Sequence, residues 1–550
     1  MSRTCLRHCC TVSAFLLALL CAGCAFFTEG DYPDVRRASP ERLHSIPTLD
    51  MAAMAGGEGP GLDVPALGAP LPEREPAAEA RLTLEECRAD ALRNNLLLQV
   101  QLINPSIARE AVVEQEARFE PSLFADARYS RSETLLNPPD DRSVTRTFSG
   151  TAGVDLPLRT GGSIQIGLPV GRGSTSGPGP DTTMYSGGAT ASVYQPLLRG
   201  GGVQANTHAI RIAHYEWQIV SARTRLEITR VLAAVDRVYW RLHATRQELQ
   251  VRKDEYDLAV AQLMRARRMV AVGAVPEVEI IRAESGVADR VEAVIVADNA
   301  VRDRERELKR VLNRTDLPVQ GDTVIIPASL PDAVQHRLDL EKLTDAAMES
   351  RMDMLEVELR LAQDASNIDF AKNDTLPFLA VDYTYGVSGV GSTAGDAHDL
   401  LFDRPLQDHS VGVNLSVPLG NGAARARLRS ALYAKARNLA SRDRQRLVIE
   451  EEVAAALDKL ESTWHRVVAS RRRTILARRN LEAENRQFGL GLRTSTDVLD
   501  AQTSLGDARS AELRAVAEYQ IAKVDIAFAT GMLLGEAGVV WAPIVPAADR

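Results

Sequence analysis

The sequence contains an internal duplication, and this feature constrains the fold more than any other. The segment Leu-Thr-Leu-Glu at residues 82–85 corresponds to Leu-Asp-Leu-Glu at residues 338–341, an offset of about 256 residues. Further along the chain Gly273 corresponds to Gly491, an offset of about 218 residues. Two constant offsets over such distances indicate two copies of one structural unit. The difference between the offsets, about 38 residues, predicts an insertion in the first copy, between residues 160 and 196.

Each copy is predicted to contain a helix, a group of strands, and a long helix that reverses at a tip into a return helix. Thr83 and Glu86 have the spacing of a capping box at a helix start, and this first helix is expected to run on to Glu120. Alternating apolar and polar residues bounded by Gly and Pro then indicate strands. These strands cover residues 123–129, 148–158, 163–170 and 189–198 in the first copy and residues 378–387 and 410–419 in the second.

The insertion in the first copy is predicted to supply two additional strands, at residues 163–170 and 189–198. A strand whose side chains alternate between apolar and polar can show one face to lipid and the other to water. The sequence leaves two arrangements open for the additional strands. They either widen a barrel or project from it as an external hairpin.

The long helices carry stripes of apolar residues spaced as on one helical face. The first stripe comprises Val235, Tyr239, Leu242 and Leu249, and the second comprises Val453, Leu457, Leu460 and Val467. Such stripes with charged neighbours are typical of coiled-coil-like packing. The first long helix covers about residues 203–270, which is about 100 Å at 1.5 Å per residue. The tips are expected near residues 270–277 and 488–496.

The amino terminus resembles a bacterial lipoprotein signal. A basic start, an apolar stretch at residues 11–20 and the sequence Cys21-Ala22-Gly23-Cys24 match the parts of a secretory signal. Residues 1–23 are therefore predicted to be a signal peptide, and Cys24 is predicted to be the lipidated, palmitate-carrying first residue of the mature chain. Residues 24–80 are rich in Pro, Ala and Gly, which predicts a flexible tether.

Composition excludes several classes of protein. The chain has 73 acidic and 65 basic residues, a formal charge of −8, so it lacks the basic bias of a nucleic-acid-binding protein. Beyond the amino-terminal segment, no apolar run approaches the roughly 18 residues of a membrane helix, which argues against an α-helical membrane protein. Zinc-ligand spacings and the common nucleophile motifs do not occur outside the signal. The sequence therefore predicts no enzyme, no cofactor and no metal.

Two motifs carry a family resemblance. Phe-x-x-Gly-x-Arg-Thr-x-x-Asp-Val-Leu-Asp occupies residues 488–500, and Gln-Pro-Leu-Leu-Arg-Gly occupies residues 195–200. With the lipoprotein signal and the duplication, they resemble the TolC-type outer-membrane factors, the outer-membrane efflux protein family, over about residues 82–534. The resemblance implies a mixed α and β membrane protein. In it, a homotrimer forms a twelve-stranded outer-membrane β-barrel that continues into a long periplasmic α-helical barrel.

The resemblance also implies domains, a function and partners. Residues 81–330 form the first repeat, residues 331–535 the second, and residues 536–550 a carboxyl-terminal tail. The implied function is a passive exit duct of a tripartite efflux or type I-like secretion system. It is lipid-anchored in the outer membrane and extends into the periplasm. The implied partners are a periplasmic adaptor, or membrane fusion protein, an inner-membrane pump of RND or ABC type and outer-membrane lipid, but no nucleic acid.

The resemblance implies four carboxylates at the periplasmic entrance. Asp497 and Asp500 belong to the second tip, and Glu277 and Glu279 belong to the first. Asp497 and Asp500 are three residues apart, hence on one helical face. In a trimer they place six like charges around the opening, which attracts cations and repels small anions. The alternative is that these acids only stabilise the first turn of an exposed helix.

The resemblance further implies a latch and a docking region at the tips. Arg493 and Phe488 make the latch contacts that hold the mouth shut, and the turns at Gly273 and Gly491 meet the adaptor. Two other functions were weighed against the duct. One is a periplasmic structural or adaptor coiled-coil lipoprotein without a channel. The other is an enzyme with paired acids, which the placement of both acids at a helix start disfavours.

Overall fold

The computed structural model describes residues 78–137 and 141–539. The predicted signal peptide, Cys24, nearly all of the predicted tether and residues 540–550 of the predicted tail lie outside this part of the chain. Of the helices in the described ranges, none combines the length and the apolar character needed to cross a membrane.

The first copy consists of two helices, four long strands and a long helical hairpin. Its elements are β1 (Glu79–Leu82), α1 (Leu84–Asn94), α2 (Leu96–Glu116), β2 (Ser122–Asn137), β3 (Asp141–Pro157), β4 (Ser163–Ser176), β5 (Thr182–Pro196), α3 (Val203–Asn206), α4 (His208–Ala271) and α5 (Val278–Leu312). A short strand, β6 (Val324–Pro327), follows this hairpin and pairs in parallel with β1.

The second copy has two long strands between its first helices and its helical hairpin. Its elements are α6 (Leu340–Ser350), α7 (Met352–Asp374), β7 (Phe378–Gly391), α8 (Ala394–Asp403), β8 (Leu406–Ser416), α9 (Gly422–Gly489), α10 (Ser495–Ala529) and α11 (Leu533–Glu536). The helices α4 and α9 contain 64 and 68 residues. At 1.5 Å per residue each is about 100 Å long.

The two copies repeat one order of elements at the offsets seen in the sequence. The helix α6 begins at Leu340, 256 residues after α1 begins at Leu84, and β7 begins at Phe378, 256 residues after β2 begins at Ser122. The helix α9 ends 218 residues after α4 ends. By these offsets β2 corresponds to β7, and β5 corresponds to β8.

The six long strands form one antiparallel sheet in the order β2-β3-β4-β5-β7-β8, so the prediction of six strands is confirmed. The additional strands are β3 and β4, however, and the assignment to residues 163–170 and 189–198 was wrong. Alternation identifies strands but not which hairpin is inserted, whereas strand pairing does. Both additional strands lie within the sheet, so the external hairpin is excluded. The twelve-stranded trimer implied by the resemblance needs four strands per chain, and this sheet has six.

The first helix is shorter than predicted. The capping box of Thr83 and Glu86 is present, but the helix ends at Asn94 and a second one starts at Leu96. Asn95 between them is extended, and its side-chain oxygen accepts a hydrogen bond from the Leu98 N–H at 3.1 Å. Asn is among the preferred residues for starting a helix, because its side chain satisfies a free backbone N–H.

The apolar stripes lie in the cores of the two hairpins. Val235, Tyr239 and Leu242 of α4 are fully buried against Val301 and Leu308 of α5. In the second copy the predicted stripe of α9 is also buried, in a cluster with residues of α10. Each fully buried side chain of this kind contributes about 1.5–3 kcal/mol relative to exposure. This packing makes each pair of long helices a rigid hairpin with a tip at one end.

Candidate functional site

The two hairpin tips have the same backbone conformation. Gly273 has φ +71° and Gly491 has φ +75°, the left-handed region that glycine adopts without steric cost. In each tip the residue after the glycine donates its N–H to the carbonyl five residues earlier, at 2.9 and 3.0 Å. This Schellman-type closure ends both long helices within one turn. The predicted docking glycines therefore lie at the reversal point of each hairpin.

Asp497 caps the return helix of the second tip. The Thr494 N–H donates to Asp497 Oδ2 at 2.8 Å, and the Asp497 N–H donates to Thr494 Oγ1 at 3.4 Å. The backbone N–H and then the hydroxyl of Thr494 lower the pKa of the Asp497 carboxyl. Asp497 therefore remains charged and fixed at the helix start. The capping role weighed as the alternative is present, and it leaves the negative charge at the surface.

Two further predicted carboxylates lie at the surface of the tips. Asp500 is exposed, one turn beyond Asp497 on α10. Glu277 is exposed at the start of α5, where its side chain makes no capping hydrogen bond. These three acids place negative charge on both tips of the chain.

Glu279 is placed differently from the entrance position that the resemblance implies. It is only 6% exposed. Its Oε2 accepts a hydrogen bond from the backbone N–H of Ser495 at 3.0 Å, and its Oε1 accepts one from Arg282 Nη1 at 2.6 Å. Ser495 is the first residue of α10, where free N–H groups and the helix dipole favour a negative charge. Glu279 therefore links the first hairpin to the second instead of facing solvent.

Two residues of α4 join the same junction. Gln262 Nε2 donates to Ser495 Oγ at 3.3 Å. The guanidinium of Arg265 lies over the ring of Phe488, 5.0 Å from its centroid. Such cation–π contacts stabilise by about 0.5–2 kcal/mol, more where water is excluded. Phe488 itself is 1% exposed, in an apolar cluster with Val498 of α10.

Arg493, the other predicted latch residue, makes its contacts within its own tip. Its Nε donates to Gln487 Oε1 at 2.9 Å and lies 3.3 Å from Glu484 Oε2. Its Nη1 is 4.0 Å from Asp497 Oδ1. Within one chain, Phe488 thus contacts the neighbouring hairpin and Arg493 does not. The sequence motif identified Phe488 but gave no indication of its partner Arg265, which lies more than two hundred residues earlier.

Replacing Glu279 with alanine is expected to loosen the junction between the hairpins. The substitution leaves the buried Ser495 N–H without its acceptor, which costs about 1–3 kcal/mol. Hydrogen exchange of the amides in the first turn of α10 measures the effect, with about a tenfold or larger acceleration expected. Glu279→Gln retains an acceptor oxygen and is the matched control. Unchanged exchange in the alanine variant would contradict the linking role of Glu279.

At the other end of the chain, the sheet has one polar and one apolar face. Strand pairing aligns one polar residue from each strand in a single row: Ser122, Asp155, Gln165, Ser192, Thr384 and Ser410. The adjacent row, on the opposite face, is apolar: Leu156, Ile164, Val193, Tyr383 and Val411. Because side chains alternate between faces, the agreement of register across the sheet makes each face uniform.

Comparison with known proteins gives relatives of one kind. The family model described as outer membrane efflux protein matches residues 163–314 and 343–532. The outer membrane protein TolC of Vibrio cholerae is 28% identical over 199 residues, which are 35% of this chain and 44% of that protein. The chain thus matches less than half the length of the curated relatives.

Solved structures share the fold over most of their length. The CmeC outer membrane channel of Campylobacter jejuni is 15% identical with a TM-score of 0.59, covering 86% of this chain and 94% of that one. CusC is 16% identical with a TM-score of 0.59, covering 86% and 99%. The fold class expected from the sequence, a mixed α and β membrane protein of this type, is confirmed. Because the family model matches more than half of its residues, this chain belongs to the outer membrane efflux protein family.

Proposed function

We infer that this chain forms the outer-membrane exit duct of a tripartite efflux or type I-like secretion system. Substrates delivered by an inner-membrane pump of RND or ABC type, through a periplasmic adaptor, pass through it passively. The observation that carries this function is the two-faced sheet, whose polar and apolar rows keep their register across the strands. A sheet of this kind suits a wall with lipid on one side and water on the other.

The edges of the sheet support assembly from several copies. The strands β2 and β8 are the two ends of the sheet. In lipid every backbone N–H and C=O needs a partner, so an open edge is not tolerated. Closure therefore requires β8 of one chain to pair with β2 of another. We assign the assembly as a homotrimer, in keeping with the family resemblance.

The helical hairpins extend the duct towards the adaptor. At about 100 Å, α4 and α9 are long enough to carry a water-filled passage well beyond the membrane. The exposed acids Asp497, Asp500 and Glu277 then surround the periplasmic opening, and the turns at Gly273 and Gly491 offer the surface that the adaptor meets. Lipid on Cys24 would anchor the assembled duct in the outer membrane.

Reconstitution of the purified protein in planar lipid bilayers tests the proposed function. A duct gives discrete ion conductance and an oligomer that resists dissociation by heat in detergent. A periplasmic coiled-coil lipoprotein without a channel gives neither result. A soluble monomer that conducts no ions would overturn the proposal.

Replacing Asp500 with asparagine is expected to reduce the cation preference of the reconstituted channel, by about twofold or more in permeability ratio. Asp500 is the better test because Asp497 also caps the helix, so its loss would change the tip structure as well. Reversal potentials in a salt gradient measure the ratio. Asp443→Asn removes an exposed charge of α9 far from the tip and is the control. Equal selectivity in all three proteins would argue against Asp500 as an entrance residue.

A further inference from the structure

Two strands of the sheet have no counterpart in the second copy of the repeat. The strands β3 and β4 lie between β2 and β5, which correspond to β7 and β8. They form 14 pairs with each other, from Val144 opposite Ser176 to Pro157 opposite Ser163. This additional hairpin is therefore fully paired and continuous with the strands on both sides.

The additional hairpin has the same two faces as its neighbours. Val154 is opposite Ile166, and Ala152 is opposite Leu168, on the apolar face. The large side chains of this set are exposed in the single chain, Leu168 by 58%. On the other face Asp155 is opposite Gln165. A hairpin that projected into water would have no need of an exposed apolar face aligned with that of the sheet.

A row of aromatic residues and arginine crosses the hairpin without interruption. Tyr129 is opposite Phe148, Phe148 is opposite Arg172, and Arg172 is opposite Tyr185. The Arg172 guanidinium lies 5.3 Å from the centroid of the Tyr185 ring. Aromatic rings are enriched where a barrel wall leaves the hydrocarbon for the polar interface. From Phe148 to Leu156 the apolar face extends about 26 Å along the strand, enough for a tilted strand to span most of that region.

The number of strands also permits closure. A sheet of six antiparallel strands has edges that run in opposite directions, so β8 of one chain can pair antiparallel with β2 of the next. Three copies then give a barrel of about eighteen strands, an even number within the range of bacterial barrels. Barrel diameter grows roughly linearly with strand number, so this pore is about one and a half times as wide as a twelve-stranded one.

We propose that the β3–β4 hairpin is a transmembrane insertion that widens the outer-membrane pore to eighteen strands in a trimer of this chain. The inference rests on the proposed function, since it concerns the width of that duct. Its consequence is that the membrane segment admits bulkier solutes than a twelve-stranded member of the family.

Deletion of residues 141–176 tests the width of the pore. The strands β2 and β5 are antiparallel, so removal of the two strands between them preserves the alternation of the sheet. The probe is polyethylene glycol of graded size, added to the side of the bilayer that faces the sheet end. The largest polymer that enters and lowers the conductance is expected to fall to about two-thirds of its diameter in the variant. An unchanged size limit, with both proteins conducting, would overturn the inference and leave the proposed function standing.

Cysteine labelling in the full chain gives a second test that does not depend on folding of the deletion variant. Gln165→Cys is expected to react with a membrane-impermeant thiol reagent, and Leu168→Cys on the apolar face is expected to be protected in vesicles. The unaltered protein, in which Cys87 is buried, is the blank. Equal reaction at both positions would place the hairpin outside the membrane wall and overturn the inference. The mass of the solubilised assembly should equal three chains, and a mass of two would exclude eighteen strands. Absence of conductance from the unaltered protein would overturn the proposed function itself.

Discussion

Replacing Arg88 with alanine is expected to destabilise the protein by about 3–5 kcal/mol, because it leaves a buried carboxylate without its partner. Arg88 of α1 donates from Nε to Asp236 Oδ1 at 2.8 Å and from Nη2 to Asp236 Oδ2 at 2.6 Å. The Asp236 side chain is fully buried in α4, and that of Arg88 is 14% exposed. This two-bond contact attaches the first helix of the repeat to the long hairpin.

The loss should depend on pH. Burial raises the pKa of Asp236, and the hydrogen bonds and charge of Arg88 oppose that effect. Without Arg88 the folded state therefore favours the protonated carboxyl more strongly. For a carboxyl whose pKa is raised by folding, the penalty is full above the folded pKa and disappears below the unfolded value, about 3.9. The deficit of the variant should thus shrink as the pH is lowered.

Thermal unfolding followed by circular dichroism of the helices measures the change at neutral and acidic pH. Arg306→Ala is the control, since Arg306 and Asp303 are both more than half exposed at 3.2 Å, and exposed pairs contribute only about 0–1 kcal/mol. A double variant, Arg88→Met with Asp236→Leu, replaces the pair by apolar side chains and should recover most of the stability. Equal stability of Arg88→Ala and the control would show that the pair carries no such energy.

An arginine in place of Val411 is expected to have the second largest effect, about 2–4 kcal/mol against insertion of the barrel near the middle of the bilayer. Val411 lies on the apolar face of β8, opposite Tyr383, and is 71% exposed in the single chain. A charge on this face must be buried in hydrocarbon or drawn to its edge, and either change is costly.

The neighbouring position provides the matched control. Ser410 lies on the polar face, opposite Thr384, whose hydroxyl is 3.0 Å from that of Ser192. An arginine there faces the water-filled interior and is tolerated. The amount of heat-resistant oligomer in outer-membrane fractions compares the two variants. Equal amounts would contradict the assignment of the two faces, and a loss only in Ser410→Arg would reverse it.

Local patterns in the sequence were reliable where one residue type determines one conformation. The tips followed from Gly273 and Gly491, because glycine adopts the left-handed conformation that ends a helix. The strands followed from alternation, and the apolar stripe at Val235, Tyr239 and Leu242 is the hairpin core. The break at Asn95 was missed, because Asn is only modestly unfavourable inside a helix and its capping role depends on the chain turning there.

The candidate site was predictable only in part. The motif at residues 488–500 identified Phe488 and Asp497, and its Thr-x-x-Asp spacing contains the capping box. It could not indicate that Glu279 is buried. That position depends on the first turn of α5 meeting the first turn of α10, 216 residues later, where an acceptor is needed for the Ser495 N–H.

The sequence alone determined the duplicated plan, the six strands, the long helices and the positions where they reverse. These features depend on periodicity and on backbone preferences that act within a few residues. The tertiary structure decided which hairpin is additional, how the faces align across the sheet, and which side chains join the two hairpin tips. Those features depend on strand register and on contacts between residues hundreds of positions apart, and local sequence patterns carry no record of such pairings.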